Sequence, residues 1–205
     1  MKLIDGIKLN GRPVTIPDAS RNELPELFVE LGYKVGAEVG VYKGAFTERF
    51  CKVGLTMYAI DPWLAYSGAG RTLNDQARQD FLYGHTKRQL APYKNCTIIR
   101  ATSNDAVKEF IDGSLDFVYI DADHSFPHIA RDLFKWAKKV RRGGAVAGHD
   151  YFYTNPRSTS VVIHVGPVVD AYVKVFEIPN LYVFCKGKHA TDKDDRYPSW
   201  MFIKP

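Results

Sequence analysis

Cysteine is scarce in this chain: Cys51, Cys96 and Cys185 are the only three among 205 residues. An odd number at such wide spacing makes neither a disulfide framework nor the paired spacing of a zinc site. It points to a reducing compartment, the cytoplasm. Long apolar runs are missing too. No stretch approaches the roughly 20 residues that a membrane-spanning helix needs, so no membrane partner is expected. The first ten residues carry Lys2, Asp5 and Lys8 and do not read as a secretory signal. Charge of one sign is also in short supply. Lys and Arg total 28 against 23 Asp and Glu, a net +5. The one dense basic group, Lys135, Lys138, Lys139, Arg141 and Arg142, reads first as the cationic last turn of a helix. Nucleic-acid binding asks for a broader patch and is not the expected activity. Repeats and low-complexity tracts are absent.

What is there is ordinary for a globular chain: 45% hydrophobic and 25% charged residues, with length enough for one self-supporting core. A single domain over residues 1–205 is expected. Short apolar runs alternate with amphipathic segments, the pattern of an α/β sheet. Predicted strands cover residues 35–39, 57–60, 97–99, 115–120, 145–147, 181–185 and 200–203. Predicted helices cover 20–33, 45–51, 73–90, 104–110 with Ser103 as cap, 129–140 closed by Gly143-Gly144, and 165–176. Asp116 reads as a simple strand start. Residues 186–198 read as an exposed hairpin loop. Two irregular stretches, 62–72 and 151–160, follow strand carboxyl ends. Ligands bind at that edge of open α/β sheets, so both are lid candidates.

The first predicted strand runs into Glu38-Val39-Gly40-Val41-Tyr42-Lys43-Gly44. Gly40 and Gly44 let the backbone turn tightly and let a ligand come close. A dinucleotide loop would read G-x-G-x-x-G, with a pyrophosphate on the helix that follows. Here Glu38 replaces the first glycine, and a carboxylate repels phosphate. S-adenosylmethionine (SAM) has no phosphate and carries a sulfonium and an ammonium, so an acid suits it and disfavours NAD. Asp61, some twenty residues on, is placed to accept the ribose hydroxyls. Trp63 is placed to cover the adenine face, and Ser103 with Asn104 to reach its edge. A nucleotide-binding oxidoreductase and a non-catalytic or nucleic-acid-directed module remain the alternatives.

A second constellation follows. Asp121, Asp123 and His124 close the fourth predicted strand, and His149 and Asp150 close the fifth. Strand ends take single caps, whereas two Asp-His clusters on neighbouring strand ends suggest chemistry. Carboxylates with imidazole suit a hard divalent ion, Mg2+ or Mn2+. Such an ion would lower a substrate hydroxyl's pKa, and His124 would take the proton. Tyr151, Phe152 and Tyr153 sit beside this edge and read as pocket lining or as packing.

With these motifs in hand, the sequence resembles the class I SAM-dependent methyltransferases. The E-x-G-x-x-x-G loop and Asp61 match that family's first two motifs. The segments S-L-D-F-V-Y-I-D-A-D-H-S-F from Ser114, D-L-F-K-W from Asp132 and R-R-G-G-A-V-A-G-H-D-Y from Arg141 are similar to a bacterial small-molecule subgroup. It includes macrocin-type sugar O-methyltransferases and cephalosporin hydroxylase-like proteins. The likeness spans roughly residues 20–152. It implies a Rossmann-like seven-stranded sheet of order 3-2-1-4-5-7-6, strand seven antiparallel, with helices on both faces. It also implies that Glu38, Gly40, Gly44, Asp61, Trp63, Ser103, Asn104 and Asp121 bind the cofactor. Asp121, His149 and Asp150 would hold the metal, and Asp121, His124 and His149 would serve catalysis. The usual residue at position 149 is an acid. The expected partner is a small-molecule methyl acceptor, a sugar among them, and a homodimer is compatible with this reading.

Overall fold

The computed structural model describes residues 1–68, 71–73, 75–153, 163–185 and 197–205. The predicted loop at 186–198 and the predicted lid at 151–160 therefore fall mostly outside the described residues. The chain opens with a short helix α1 (Leu3–Gly6) and a strand β1 (Val14–Ile16), neither of them predicted. Each is too short to carry a periodic signal. Ser20 then begins a capping box. Its hydroxyl accepts from the Asn22 amide at 3.0 Å, and Glu23 accepts from the Ser20 amide at 3.0 Å. That box fixes a 3-10 turn at Arg21–Glu23 before helix α2 (Leu24–Glu30). The predicted helix over 20–33 is thus shorter than its apolar face suggested, and Gly32 at φ 76° turns the chain away.

Strand β2 (Val35–Val39), helix α3 (Ala45–Lys52) and strand β3 (Thr56–Asp61) follow as expected. A two-stranded hairpin, β4 (Tyr66–Gly68) with β5 (Arg71–Leu73), occupies the first predicted lid. Helix α4 (Gln76–Leu90) starts after it, capped by Asp75. Strand β6 (Cys96–Arg100) leads to helix α5 (Ser103–Ala106). Its cap is Thr102, which accepts from the Asp105 amide at 3.2 Å. Ser103, the predicted cap, is instead inside the helix with its hydroxyl turned elsewhere.

Strand β7 (Leu115–Ile120), helix α6 (Phe126–Lys139), strand β8 (Val140–Gly148), helix α7 (Val165–Val175) and strands β9 (Tyr182–Phe184) and β10 (Ser199–Ile203) complete the fold. Helix α6 does not run to Gly143-Gly144. It stops at Lys139, and Val140 is already extended. A Cβ on Gly144 would lie 2.3 Å from the Asp116 carbonyl oxygen. The glycine therefore serves strand packing and not helix termination. Asp116 also does more than begin a strand. Its carboxylate accepts from the amides of Lys34 and Val35 at 2.6 and 2.9 Å and from Arg141 Nε at 2.6 Å. It ties the entries of β2, β7 and β8 together.

The main sheet has order β1-β9-β10-β8-β7-β2-β3-β6. From β6 to β9 it is the implied 3-2-1-4-5-7-6 order, and β10 is antiparallel to both neighbours. The unpredicted eighth strand, β1, pairs parallel to β9 at the far edge. Buried residues of β7 alternate between faces. Val118 and Ile120 pack with Trp136 of α6 and Val169 of α7. Phe117 and Tyr119 pack with Phe28 of α2 and Phe50 of α3. Two apolar cores thus clamp the sheet and hold the carboxyl ends of β2, β3, β6, β7 and β8 in one row. Cys51 of α3 and Cys96 of β6, distant in sequence, join the same apolar core.

Candidate active site

The glycine loop leaves β2 through Gly40, at φ 94°. A Cβ there would lie 2.1 Å from the Asp121 carbonyl oxygen. Only glycine lets the ends of β2 and β7 come this close. Asp61 then clasps the loop. Its Oδ2 accepts from the amides of Val41 and Tyr42 at 3.1 and 3.0 Å, and Oδ1 accepts from the Trp63 amide at 2.8 Å. Burial pushes this carboxyl up, while the three amides pull it back. A carboxylate has about four lone-pair sites, so one remains for a ligand hydroxyl, not the two expected from the sequence.

Beside this loop lies a cavity of about 740 Å3. Gly40, Asp61, Trp63, Ser103, Asn104 and Asp121 all line it, so the folded chain brings these predicted cofactor residues together. Their roles differ from those expected. Trp63 is a wall and not a lid. It is 1% exposed, its Nε1 donates to the Tyr42 carbonyl at 2.9 Å, and its ring leans on Tyr83. Ser103 Oγ donates to Asp132 Oδ1 at 2.7 Å and accepts from Trp136 Nε1 at 2.9 Å. Asn104 Oδ1 accepts from Lys135 Nζ at 2.6 Å.

Two predicted cofactor residues do not reach the cavity wall. Gly44 caps α3, and a Cβ there would sit 3.1 Å from Thr86 and 3.3 Å from Leu90 of α4. It sets helix packing. Glu38 is 2% exposed and accepts a hydrogen bond from the Thr47 hydroxyl of α3. Burial pushes its carboxyl up to about 8, with the Thr47 bond pulling the other way. The expectation of a negative side chain facing a cationic ligand is therefore corrected. Glu38 fastens α3 beneath the loop, largely proton-bearing at neutral pH. A pH dependence follows. The folded chain keeps a proton that an ordinary Glu releases near 4.5. The stability this gives is full below that pH and drains as pH rises through about 8. Glu38→Gln is expected to flatten the fall in urea stability across that window; an unchanged slope would contradict the assignment.

At the ends of β7 and β8 the second constellation assembles. His124 Nε2 lies 3.4 Å from Asp121 Oδ1 and 3.3 Å from Asp150 Oδ2. His149 Nδ1 lies 3.4 Å from the same Asp150 oxygen and 3.8 Å from Asp121 Oδ2. Asp150 is held at φ 54°, a strained setting that points it inward. Burial alone would raise the Asp121 carboxyl, but His124, His149 and Arg21 together hold it below the usual range. Burial also opposes charge on His149, yet Asp150 and Asp121 outweigh it and raise the imidazole. Asp123 stands apart from the group. It accepts from the Ser125 amide at 2.8 Å and faces His128 at the start of α6.

Arg21 is a member that sequence reasoning missed. Its Nη1 reaches Asp121 Oδ2 at 3.5 Å, and its guanidinium lies over Phe46 at 4.8 Å. Only the capping box beginning at Ser20 hints at a fixed residue there.

A divalent ion fits this corner, though through a different set than predicted. Among the described residues, ligand atoms of Asp121, His124 and Asp150 lie within 4.8 Å of one another. His149 is 6% exposed. It contacts Asp150 at 3.4 Å and Asp121 at 3.8 Å and is not one of that group, whereas the predicted set has His149 in place of His124.

An open, mostly parallel sheet with a glycine loop, an acid at the next strand end and a cavity across them defines the class I methyltransferase fold. A family model described as "Methyltransferase domain" matches residues 37–151. The chain belongs to that family and is a SAM-dependent methyltransferase. No curated protein matches it in sequence. Solved structures match in fold. The O-methyltransferase TomG from Streptomyces achromogenes, involved in tomaymycin synthesis and solved with SAM, is 14% identical, with TM-score 0.61 over 90% of this chain and 79% of its own. The Bacillus cereus O-methyltransferase solved with SAH is 15% identical, with TM-score 0.58 over 89% of this chain and 80% of its own. The tRNA (m1A58) methyltransferase TrmI from Aquifex aeolicus reaches 0.59 at 14% identity, over 90% of this chain and 68% of its own. No helix among the described residues is long and apolar enough to cross a membrane.

Proposed function

We propose that this methyltransferase acts on the hydroxyl oxygen of a small molecule, sugars and other polyols among the candidate acceptors, with His124 as the base. One observation carries the reading: an imidazole that lines the cofactor cavity stands between two carboxylates, at 3.4 and 3.3 Å. A proton on Nε2, donated to either carboxylate, leaves Nδ1 as the basic nitrogen. The imidazolium formed on proton transfer is stabilised by the same two acids. The acceptor oxygen then attacks the sulfonium methyl in line, and the sulfur leaves as a neutral thioether. Little other covalent assistance is needed, so holding the two reactants in contact supplies most of the rate. Arg21 and His149 help hold the Asp121 carboxyl below its usual range, and His149 also contacts Asp150 at 3.4 Å. A divalent ion held by Asp121, His124 and Asp150 would occupy the imidazole and supply Lewis-acid stabilisation of the oxyanion in place of the His124 base.

The basic group on α6 and β8 gives no support to a nucleic-acid reading. Lys139 pairs with Asp112 at 2.7 Å and Arg141 with Asp116 at 2.6 Å, and Lys138 covers the Phe134 ring.

The test uses labelled SAM and a panel of hydroxylated acceptors. Saturating S-adenosylhomocysteine (SAH) is expected to raise the melting temperature by several degrees, and label is expected on an acceptor oxygen. If the corner holds a metal, chelation should lower turnover at least about 10-fold, with recovery on adding Mg2+ or Mn2+. The absence of any shift with SAH would overturn the cofactor reading, and label on nitrogen or carbon would overturn the oxygen assignment.

A further inference from the structure

We propose that Asp132 reads the exocyclic amine of the cofactor's adenine. The inference rests on the cavity being the SAM site and names the group that selects the base there.

Asp132 lies on α6, on the cavity wall, with its side chain only 4% exposed. It is an anchored carboxylate. Oδ1 accepts from the Ser103 hydroxyl at 2.7 Å, and that hydroxyl accepts from Nε1 of the fully buried Trp136 at 2.9 Å. Arg131 Nε stands 3.7 Å from the same Oδ1. Oδ2 has no hydrogen-bond partner among the described residues. Burial pushes this carboxyl up, and the Ser103 hydroxyl and the charge of Arg131 return only part of the lost solvation. A donor arriving from the cavity would restore the balance.

The sheet order says which donor. Asp61 ends β3, and its partner across the ladder is Arg100 at the end of β6. Ser103 follows Arg100 by one short turn. The glycine loop and Asp121 lie on the other side of β3, at the ends of β2 and β7. A ribose at Asp61 therefore sends its amino-acid arm towards the glycine loop and its base towards the end of β6. The pair Ser103 and Asp132 stands at the base end. Adenine's ring nitrogens only accept, and its 6-amino group is its hydrogen-bond donor along that edge. An ionised carboxylate only accepts. Burial pushes the Asp132 carboxyl up, and a donor on Oδ2 favours its ionised form, which pairs with the 6-amino group and repels a 6-oxo group; hypoxanthine offers only its N1–H in return, so the cavity favours adenine. Ammonium and sulfonium, the cofactor's other cationic groups, fall at the opposite end beside Asp121.

The experiment titrates the full chain with SAH and with S-inosylhomocysteine, in which oxygen replaces the 6-amino group. The native protein is expected to prefer SAH by roughly 10- to 100-fold. Asp132→Asn keeps an acceptor for Ser103 while offering the cavity either an oxygen or an NH2. Its preference should fall to within a few-fold, with SAH binding weakened by about 10-fold or more. Asp132→Ala should lose the preference too, and its melting curve reports whether the missing anchor loosens α6. Native-like discrimination in a folded Asp132→Asn protein overturns the assignment, as does a native protein indifferent to the two ligands. Failure of the native protein to bind SAH would overturn the cofactor reading along with this one. Intact SAH binding with unchanged discrimination overturns only the role of Asp132.

Discussion

Replacing His124 by alanine is expected to lower kcat for methyl transfer by roughly 10²- to 10⁴-fold while SAH affinity stays within a few-fold. Among the described residues, the imidazole is the one basic side chain that both lines the cavity and touches two carboxylates, at 3.4 and 3.3 Å. Removing it takes away the proton acceptor. It also leaves Asp121 and Asp150 facing each other, with His149 beside both and Arg21 beside Asp121. The cofactor arm of the cavity, from Asp61 to Ser103, is untouched. Rate and affinity therefore part company, and single-turnover kinetics beside calorimetry will show it. Equal losses in both would mean that His124 holds ligand and moves no proton.

The second large effect concerns Gly40. Alanine there meets two penalties at once. The backbone sits at φ 94°, where an L side chain is strained, and the new methyl would lie 2.1 Å from the Asp121 carbonyl. Strain and overpacking together cost about 2–5 kcal/mol. For a chain of this size that lowers the melting temperature by roughly 5–15 °C. The Asp121 backbone must retreat, and Asp121 carries the carboxylate on which His124, His149 and Arg21 converge. Gly40→Ala should therefore lose turnover even at temperatures where it is folded. A variant with a native melting curve and native rate would refute the close approach of β2 and β7. Gly32 offers the contrast. It shares a positive φ, but nothing lies within 4 Å of an added Cβ, so alanine there is expected to cost only the backbone strain.

Much of this arrangement could be read from the residues. Strand β2 has the bounds its apolar run predicts, and β7 shows the near-continuous burial of a strand covered on both faces. Those signals are local, set by side-chain period and by Gly40 and Asp61 at strand ends. What stayed hidden depends on packing between distant segments. Arg21 precedes Asp121 by 100 positions, and no periodicity links them. Asp132 reads as one polar residue on an amphipathic helix, because its value lies in where Ser103 and Trp136 meet it. Glu38 shows the same limit from the other side. Its type suggests charge, but the burial that decides its protonation comes from α3 and the core beneath. Gly143-Gly144 misled for a related reason. Glycine pairs usually stop helices, and here the passing Asp116 carbonyl requires one of them.

The strand that nothing in the sequence announced has a kinetic consequence. Val14–Ile16 finds its mates at Tyr182–Phe184, so the chain must be made through Phe184 before this segment can pair. Until then it has no strand partner on the growing chain. Joining the amino-terminal segment to the last part of the sheet makes that edge a late event in folding.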